Sequence, residues 1–264
     1  MKVVFLLSMK ENKQRYFVEL AYDGSAFFGW QRQPNQVSVQ ETIEEQLSVL
    51  LKRDTAVVGC GRTDTGVHAS CYVLHFETTQ QVDCDKLVYQ LNALLPLSIA
   101  VFKINPVSDD LHARFSASER AYTYYIHSQK NPFIKNSWYL KKELNLSEMQ
   151  KACVYLPGTK DFSSFAKIHT DVKNHLCEVK NAEIHQADYG VRFTISANRF
   201  LRNMVRAIVG TLVEIGLGKC PADTMQTIIN QKDRSAAGAS APACGLFLSN
   251  ISYPNYEVSC RKSI

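Results

Sequence analysis

Gly61-Arg62-Thr63-Asp64-Thr65-Gly66-Val67-His68-Ala69 is the stretch on which the reading of this chain turns. Glycine adopts backbone angles that other residues avoid, so a turn bounded by Gly61 and Gly66 can push Asp64 into a cleft. The apolar run Ala56 to Cys60 leads into it, and a second strand, Tyr72 to Glu77, follows. Arg62 lies two residues from Asp64, and an opposite charge nearby favours the ionised carboxylate. That combination suits an aspartate acting as a nucleophile at neutral pH. An ordinary Asp-Thr-Gly turn is the plain rival, and nine such residues in a row speak against it.

Upstream, Arg15 to Tyr22 alternates, with Tyr16, Val18, Leu20 and Tyr22 on one face of an expected strand. Ser38-Val39-Gln40-Glu41 reads as a capping box. Val39, Ile43, Leu47, Leu50 and Leu51 then recur at helical spacing. Downstream, Leu87, Leu91 and Leu94 mark a helix that stops before Pro96, and Ile99 to Ile104 is a strand. The order is βαββαβ, a ferredoxin-like split unit. The second half repeats the pattern. Arg120 to His127 is a strand, and Ser147 caps a helix ending at Pro157-Gly158. Cys177 to His185 and Val191 to Ala197 form a hairpin. Phe200 to Ile215 is a long helix, with a shorter one after Pro221, and Gly245 to Tyr253 is the closing strand. The expected fold is α+β. Two ferredoxin-like halves join into one mostly antiparallel sheet, with helices on one face and a central RNA-binding cleft. The expected divisions are an N-terminal extension over 1–14, a domain over 15–107 carrying the Asp64 loop, and a second domain over 108–264. Gly238 to Cys244 is small in side chain and reads as a mobile loop near the cleft.

The chain has 264 residues, 45% of them hydrophobic, which is enough for a packed core. Its net charge of +5 is compatible with nucleic acid but too small to establish it. The eight cysteines form no Cys-x-x-Cys pair, and no Cys/His spacing suggests zinc. We read a reduced, cytoplasmic chain without metal or cofactor. The apolar run near Met1 is too short for a secretory leader, and no stretch is long enough to span a membrane. Gly59-Cys60-Gly61 with Gly66 lacks the spacing of a dinucleotide site, and the turn lacks the ending of a P-loop.

Further candidates come from residue type and place. Tyr122 lies on a strand face with Tyr124, where aromatics ordinarily pack. Arg199, Arg202 and Arg206 cluster at a helix start, and Arg202 and Arg206, four apart, share a face. Cations there oppose the helix dipole, so they either meet an anion or form a solvated face. Phe28-Gly29-Trp30-Gln31-Arg32-Gln33-Pro34 mixes aromatics, amides and the cation Arg32, a composition suited to an RNA backbone. His112 and Arg114, beside Phe115, belong to the same cleft. Asp23 reads as the cap of its own turn, and His68 as a support for the Asp64 turn.

Several stretches together resemble one family. These are Tyr22-Asp23-Gly24 with Phe28-Gly29-Trp30-Gln31, the Asp64 stretch, and His112-Ala113-Arg114-Phe115. Arg120-Ala121-Tyr122-Thr123-Tyr124, Phe200 through Gly210, and Gly245-Leu246-Phe247-Leu248 complete the set. In order and approximate spacing they resemble the tRNA pseudouridine synthase A family over nearly the whole chain. The resemblance departs at Ala26-Phe27-Phe28, away from the catalytic positions. It implies isomerisation of uridine to pseudouridine at positions 38, 39 and 40 of the tRNA anticodon arm, with Asp64 as nucleophile. It also implies that Tyr122 stacks on the target uracil, and that Arg62 and Arg206 support Asp64, with Arg206 as its ion-pair partner. Arg32, Arg114, Arg199 and Arg202 would then contact RNA, and the protein would be a homodimer. Two rivals remain. One is a non-catalytic RNA-binding module. The other is a nucleoside or glycoside hydrolase, which needs a carboxylate pair and has only Asp23 to offer beside Asp64.

Overall fold

The computed structural model describes residues 13–167 and 174–260, so most of the expected N-terminal extension lies outside it. The architecture is mixed, with five α-helices and a single 10-stranded, mostly antiparallel sheet among the described residues. Strand β1 (Gln14–Tyr22) lies between β4 (Ile99–Val107) and β3 (His68–Thr78), antiparallel to both. The short β2 (Val58–Gly59) pairs with β3 across the Asp64 turn. Beyond β3 come β10 (Leu246–Ser252), β5 (Glu119–His127), β9 (Gly190–Ala197), β8 (Leu176–Ala187) and β7 (Gly158–Asp161). A short β6 (Trp138–Tyr139) pairs with β5. The chain's last strand therefore sits at the middle of the sheet. It is parallel to β3 and antiparallel to β5.

Two hydrophobic clusters flank that junction. One is built from β1, β3, β4 and the helices α1 (Val39–Leu51) and α2 (Cys84–Leu94). The other gathers β5, β8, β9, α3 (Leu146–Cys153), α4 (Met204–Gly216) and α5 (Thr224–Gln231). They are not cleanly divided by sequence. Leu248, Ile251 and Tyr253 from the chain's end belong to the first cluster, and Val67 from the Asp64 turn belongs to the second. Tyr122 packs against both.

Local expectations met mixed outcomes, each with a physical cause. Ser38 caps α1 as its capping box requires, its side chain accepting from the Glu41 amide at 3.2 Å. Such a cap contributes about 1 kcal/mol. At α3 the cap is Asn145, which accepts from the Glu148 amide at 3.1 Å, so Ser147 is a helical residue and not the cap. That helix ends at Cys153, short of Pro157-Gly158. In α2 the stripe ends on Leu95 (7% exposed) and leaves Leu94 in solvent (47%). The helix over Phe200 to Ile215 starts late: Asn203 takes a left-handed backbone (φ 67°), and α4 begins at Met204. Arg202 therefore precedes the helix and does not share a helical face with Arg206.

Strand β1 is buried on both faces. Phe17 and Glu19, on the face the alternation left for solvent, are completely buried. The chain beyond β10 covers them. The rings of Tyr253 and Tyr256 lie 5.4 and 5.0 Å from that of Phe17. Glu19 accepts from the Tyr256 hydroxyl at 2.8 Å, and from the Ser259 amide at 2.8 Å and its hydroxyl at 3.1 Å. A buried carboxylate stands only where such partners satisfy its oxygens.

Candidate active site

The Asp64 turn is fixed from several sides by bonds to its backbone. The Tyr72 hydroxyl donates to the Gly61 carbonyl at 2.5 Å, and the Trp30 amide donates to the Thr63 carbonyl at 3.2 Å. The Thr63 hydroxyl, buried, is 2.8 Å from that of Tyr22. Behind them Trp30 stacks on Tyr72, with ring centres 4.2 Å apart. The Gly66 amide donates to Phe27, and the Val67 amide to the Asp64 carbonyl at 3.1 Å. Two glycines are required here. Gly66 has φ +75°, and a Cβ on Gly29 (φ +90°) would meet the Thr63 carbonyl at 2.7 Å. The Phe28–Pro34 loop is thus a brace for the Asp64 turn.

The Asp64 carboxylate is partly exposed and faces two arginines from the other half of the chain. Arg202 Nε stands 3.5 Å from Oδ1, and Arg206 Nη1 stands 3.8 Å from Oδ2. The expected Arg206 pair is present, and Arg202 joins it. Arg62 is exposed and makes no ion pair with Asp64 within 4 Å among the described residues. The turn does not bring this guanidinium to the carboxylate, so nearness in sequence does not give contact here. Arg206 is itself fixed: its Nε donates to the Ala241 carbonyl at 2.7 Å, and the Ala241 amide donates to the Arg206 carbonyl at 2.9 Å.

Tyr122 is half-buried beside this group, edge-on to Phe200 with ring centres 5.1 Å apart. Burial pushes its phenol well above the usual range. Cys60 and the negative charge of Asp64 push the same way, against the opposing pull of Arg120. It is a neutral hydroxyl at physiological pH, with a flat ring available for stacking. Phe200 is a site neighbour that sequence reasoning named only within a motif.

The remaining candidates have varied surroundings. Arg199, half-buried just past the end of β9, donates to Asn174 at 3.4 Å. Arg32 is half-exposed and paired with Glu44 at 3.5 Å and Glu41 at 3.7 Å, so much of its charge is answered within the chain. Arg114 is exposed, and its guanidinium lies over the exposed Phe115 ring at 5.6 Å. His112 is 4.4 Å from that ring.

Asp23 caps its turn, accepting from the Ser25 amide at 2.9 Å, and it also accepts from Asn136 at 3.2 Å. Burial raises its pKa, but these hydrogen bonds and nearby His68 outweigh that and hold it below the usual carboxylate range. It is an anion and a poor general acid, so it does not supply the protonated partner of a hydrolytic carboxylate pair. His68 is fully buried. In its neutral form Nε2 donates to the Cys244 carbonyl at 3.2 Å, and Nδ1 accepts from the Gly24 amide at 3.1 Å. Burial pushes its pKa down, partly offset by the Asp23 carboxylate 3.1 Å away. His68 therefore ties the turn to both flanking segments, as a support.

The segment Gly238 to Cys244, which its composition suggested would move, is bonded at most of its residues. The Gly238 amide donates to Thr211 at 3.0 Å, and Asn203 donates to Ser240 at 2.7 Å. The Tyr124 hydroxyl donates to Pro242 at 2.7 Å. Tyr124 is thus a support of this segment. All eight cysteines are unpaired, and Cys60, Cys71, Cys153 and Cys177 are buried. Among the described residues no three His, Cys, Asp or Glu side chains converge as metal ligands, and no helix is long and apolar enough to cross a membrane.

Comparison with known proteins agrees with this geometry. A family model described as tRNA pseudouridine synthase matches residues 20–116 and 152–254. A tRNA pseudouridine synthase A of Bacteroides fragilis is 50% identical over 244 residues, covering 91% of this chain and 97% of that protein. Its namesake in Bacteroides thetaiotaomicron is 46% identical over 257 residues, covering 95% and 96%. The one in Bacillus subtilis is 39% identical over 241 residues, covering 89% and 98%.

Proposed function

The chain belongs to the tRNA pseudouridine synthase family, and from that premise we propose that Asp64 is its nucleophile and that its targets lie in the tRNA anticodon arm. The protein is an isomerase that converts uridine in tRNA to pseudouridine. The observation that carries the Asp64 reading is the convergence of Arg202 and Arg206 on its carboxylate across the junction of the two clusters. Two cations facing one carboxylate favour its charged form and direct it, as an attacking group requires. The bond from ribose C1′ to uracil N1 breaks and one to C5 forms, C5 gives up its proton and N1 takes one, so the isomerisation balances without a redox partner. Tyr122, a neutral phenol with Phe200 behind it, is the ring on which the displaced uracil stacks. In this reading Arg206 holds Asp64, Arg202 passes from Asp64 to the entering phosphate, and Arg62, in solvent, meets the substrate backbone.

We assign positions 38, 39 and 40 of the anticodon arm as targets, by resemblance. Recognition then falls on the shape of the tRNA body through phosphate and ribose, the usual mode for structured RNA. Arg199, half-buried, and Arg114, exposed, are RNA contacts in this scheme. Arg32, already paired, is a weaker one. Substituting them with glutamine is expected to weaken the salt dependence of tRNA binding. We assign two ferredoxin-like halves, residues 15–107 and 108–264, each supplying most of one cluster, with Leu248 and Ile251 of β10 lent to the first. A cytoplasmic homodimer accompanies this reading, and light scattering at working concentration tests the dimer by itself.

The deciding assay is tritium release from tRNA labelled at uracil C5. Release by the native chain and none by Asp64→Asn is the expected outcome. Mapping the modified position in the same product tests the anticodon arm. A fully active Asp64→Asn chain sinks the nucleophile assignment, and release of free uracil favours a hydrolase.

A further inference from the structure

One guanidinium in this molecule answers four backbone carbonyls. Arg120 lies on β5, two residues before Tyr122 and on the same strand face. Its Nη1 donates to the carbonyls of Ala117 and Asn198, each at 3.0 Å. Its Nη2 donates to those of Cys60 at 3.0 Å and Arg114 at 2.6 Å. No carboxylate neutralises it within 4 Å among the described residues. A guanidinium is always charged and carries five N–H donors in a rigid plane, which lets one side chain bridge several carbonyls at once.

The four carbonyls fall on the pieces that make up the site. Cys60 immediately precedes the Asp64 turn, and the next carbonyl, Gly61, is held by Tyr72. Arg114 and Ala117 belong to the loop that carries exposed Phe115. Asn198 follows β9 and leads directly into Arg199 and then Arg202. Arg120 thereby joins the base of the Asp64 turn to the chain that presents Arg202 to the Asp64 carboxylate. The contact between Asp64 and its arginines spans two clusters built from distant sequence, and Arg120 bonds backbone beside both.

We propose that Arg120 is a positioning residue for the isomerase reaction: its guanidinium sets Asp64 against Arg202 and Tyr122 without touching substrate. This rests on Asp64 as the nucleophile. Misplacement of a reacting group by about 1 Å costs on the order of 100-fold in rate, whereas substrate affinity depends on the wider surface. Lysine retains charge but offers a point ammonium in place of the planar fork, so it cannot serve all four carbonyls.

The test is a single-turnover assay with saturating tRNA on native enzyme, Arg120→Lys and Asp64→Asn. It is paired with tRNA affinities measured in the Asp64→Asn background so that substrate is not consumed. The proposal expects Arg120→Lys to lose roughly 10- to 100-fold in rate, with affinity changed less than about threefold and the chain folded at assay temperature. An unchanged rate overturns it, as does an affinity loss that matches the rate loss. If Arg120→Lys does not fold, Arg120→Gln takes its place, and failure of both to fold assigns the clamp to stability and overturns the proposal. An active Asp64→Asn chain instead removes the nucleophile reading, so the two failures are distinct.

Discussion

The Asp64 turn and the segment from Gly238 to Cys244 are alike in composition and unlike in role. Both are short connections rich in small residues, both precede a strand of the central sheet, and both are held by side chains from elsewhere. The turn carries Asp64, the proposed nucleophile, and its bonds come from aromatic residues on β1, β3 and the Phe28–Pro34 loop. The later segment carries no charged side chain, yet it holds Arg206 through paired bonds to Ala241. A loop without charge thus sets the position of the cation facing the carboxylate. Small side chains serve that purpose by letting backbone approach backbone, which is a different use from flexibility.

The sharpest way to break the comparison is to wedge one loop and spare the other. A Cβ on Gly210 would fall 1.7 Å from the Ala239 carbonyl oxygen, and its backbone neighbours cannot yield cheaply. Gly210→Ala is expected to destabilise the protein by about 3 kcal/mol, as overpacked cores do. A Cβ on Gly61 meets nothing within 4 Å, so Gly61→Ala is expected to stay within about 0.5 kcal/mol. Urea titrations decide this, and equal losses would mean that the later segment is not docked as described.

A smaller effect separates fixing a cation from supplying one. Arg206→Lys keeps the charge but loses the fork that serves both Ala241 and Asp64. Turnover is expected to fall roughly 10-fold, about 1.4 kcal/mol in transition-state terms, with stability nearly intact. Turnover at the native rate would show that charge alone suffices and that the Ala241 bonds are incidental to chemistry.

The smallest effect concerns His68, the side chain that bonds both flanking segments. Burial depresses its folded pKa below the usual histidine value of 6.5. The unfolded chain therefore takes up the proton first as pH falls, and this residue's stabilisation, complete above 6.5, is lost as pH drops through the folded value. Urea midpoints at neutral and mildly acidic pH should separate more in the native chain than in His68→Gln. An equal separation would mean that His68 does not titrate differently on folding.

Much of the fold was legible because local rules coincide with tertiary ones along most of the chain. The capping box at Ser38, the alternation in β5 and the hairpin between β8 and β9 each appear where their patterns place them. The misses share a cause. Ser147 and Phe200 were locally acceptable starts for α3 and α4, but Asn145 and left-handed Asn203 set the actual ones. The buried outer face of β1 was invisible because its cover comes from Tyr253, Tyr256 and Ser259, more than 230 residues away for the Glu19 bonds.

By itself, the sequence determined the nucleophile candidate, the cluster of arginines and the mixed α/β class. Each rests on residue type and short-range spacing, which the covalent chain fixes directly. Only the tertiary structure decided that Arg202 joins the expected Arg206 at Asp64 while neighbouring Arg62 does not, and that Arg120 bonds four carbonyls around them. Those facts depend on where β10 inserts between β3 and β5. Strand insertion is settled by burial of two cores at once, a non-local quantity that no window of sequence contains.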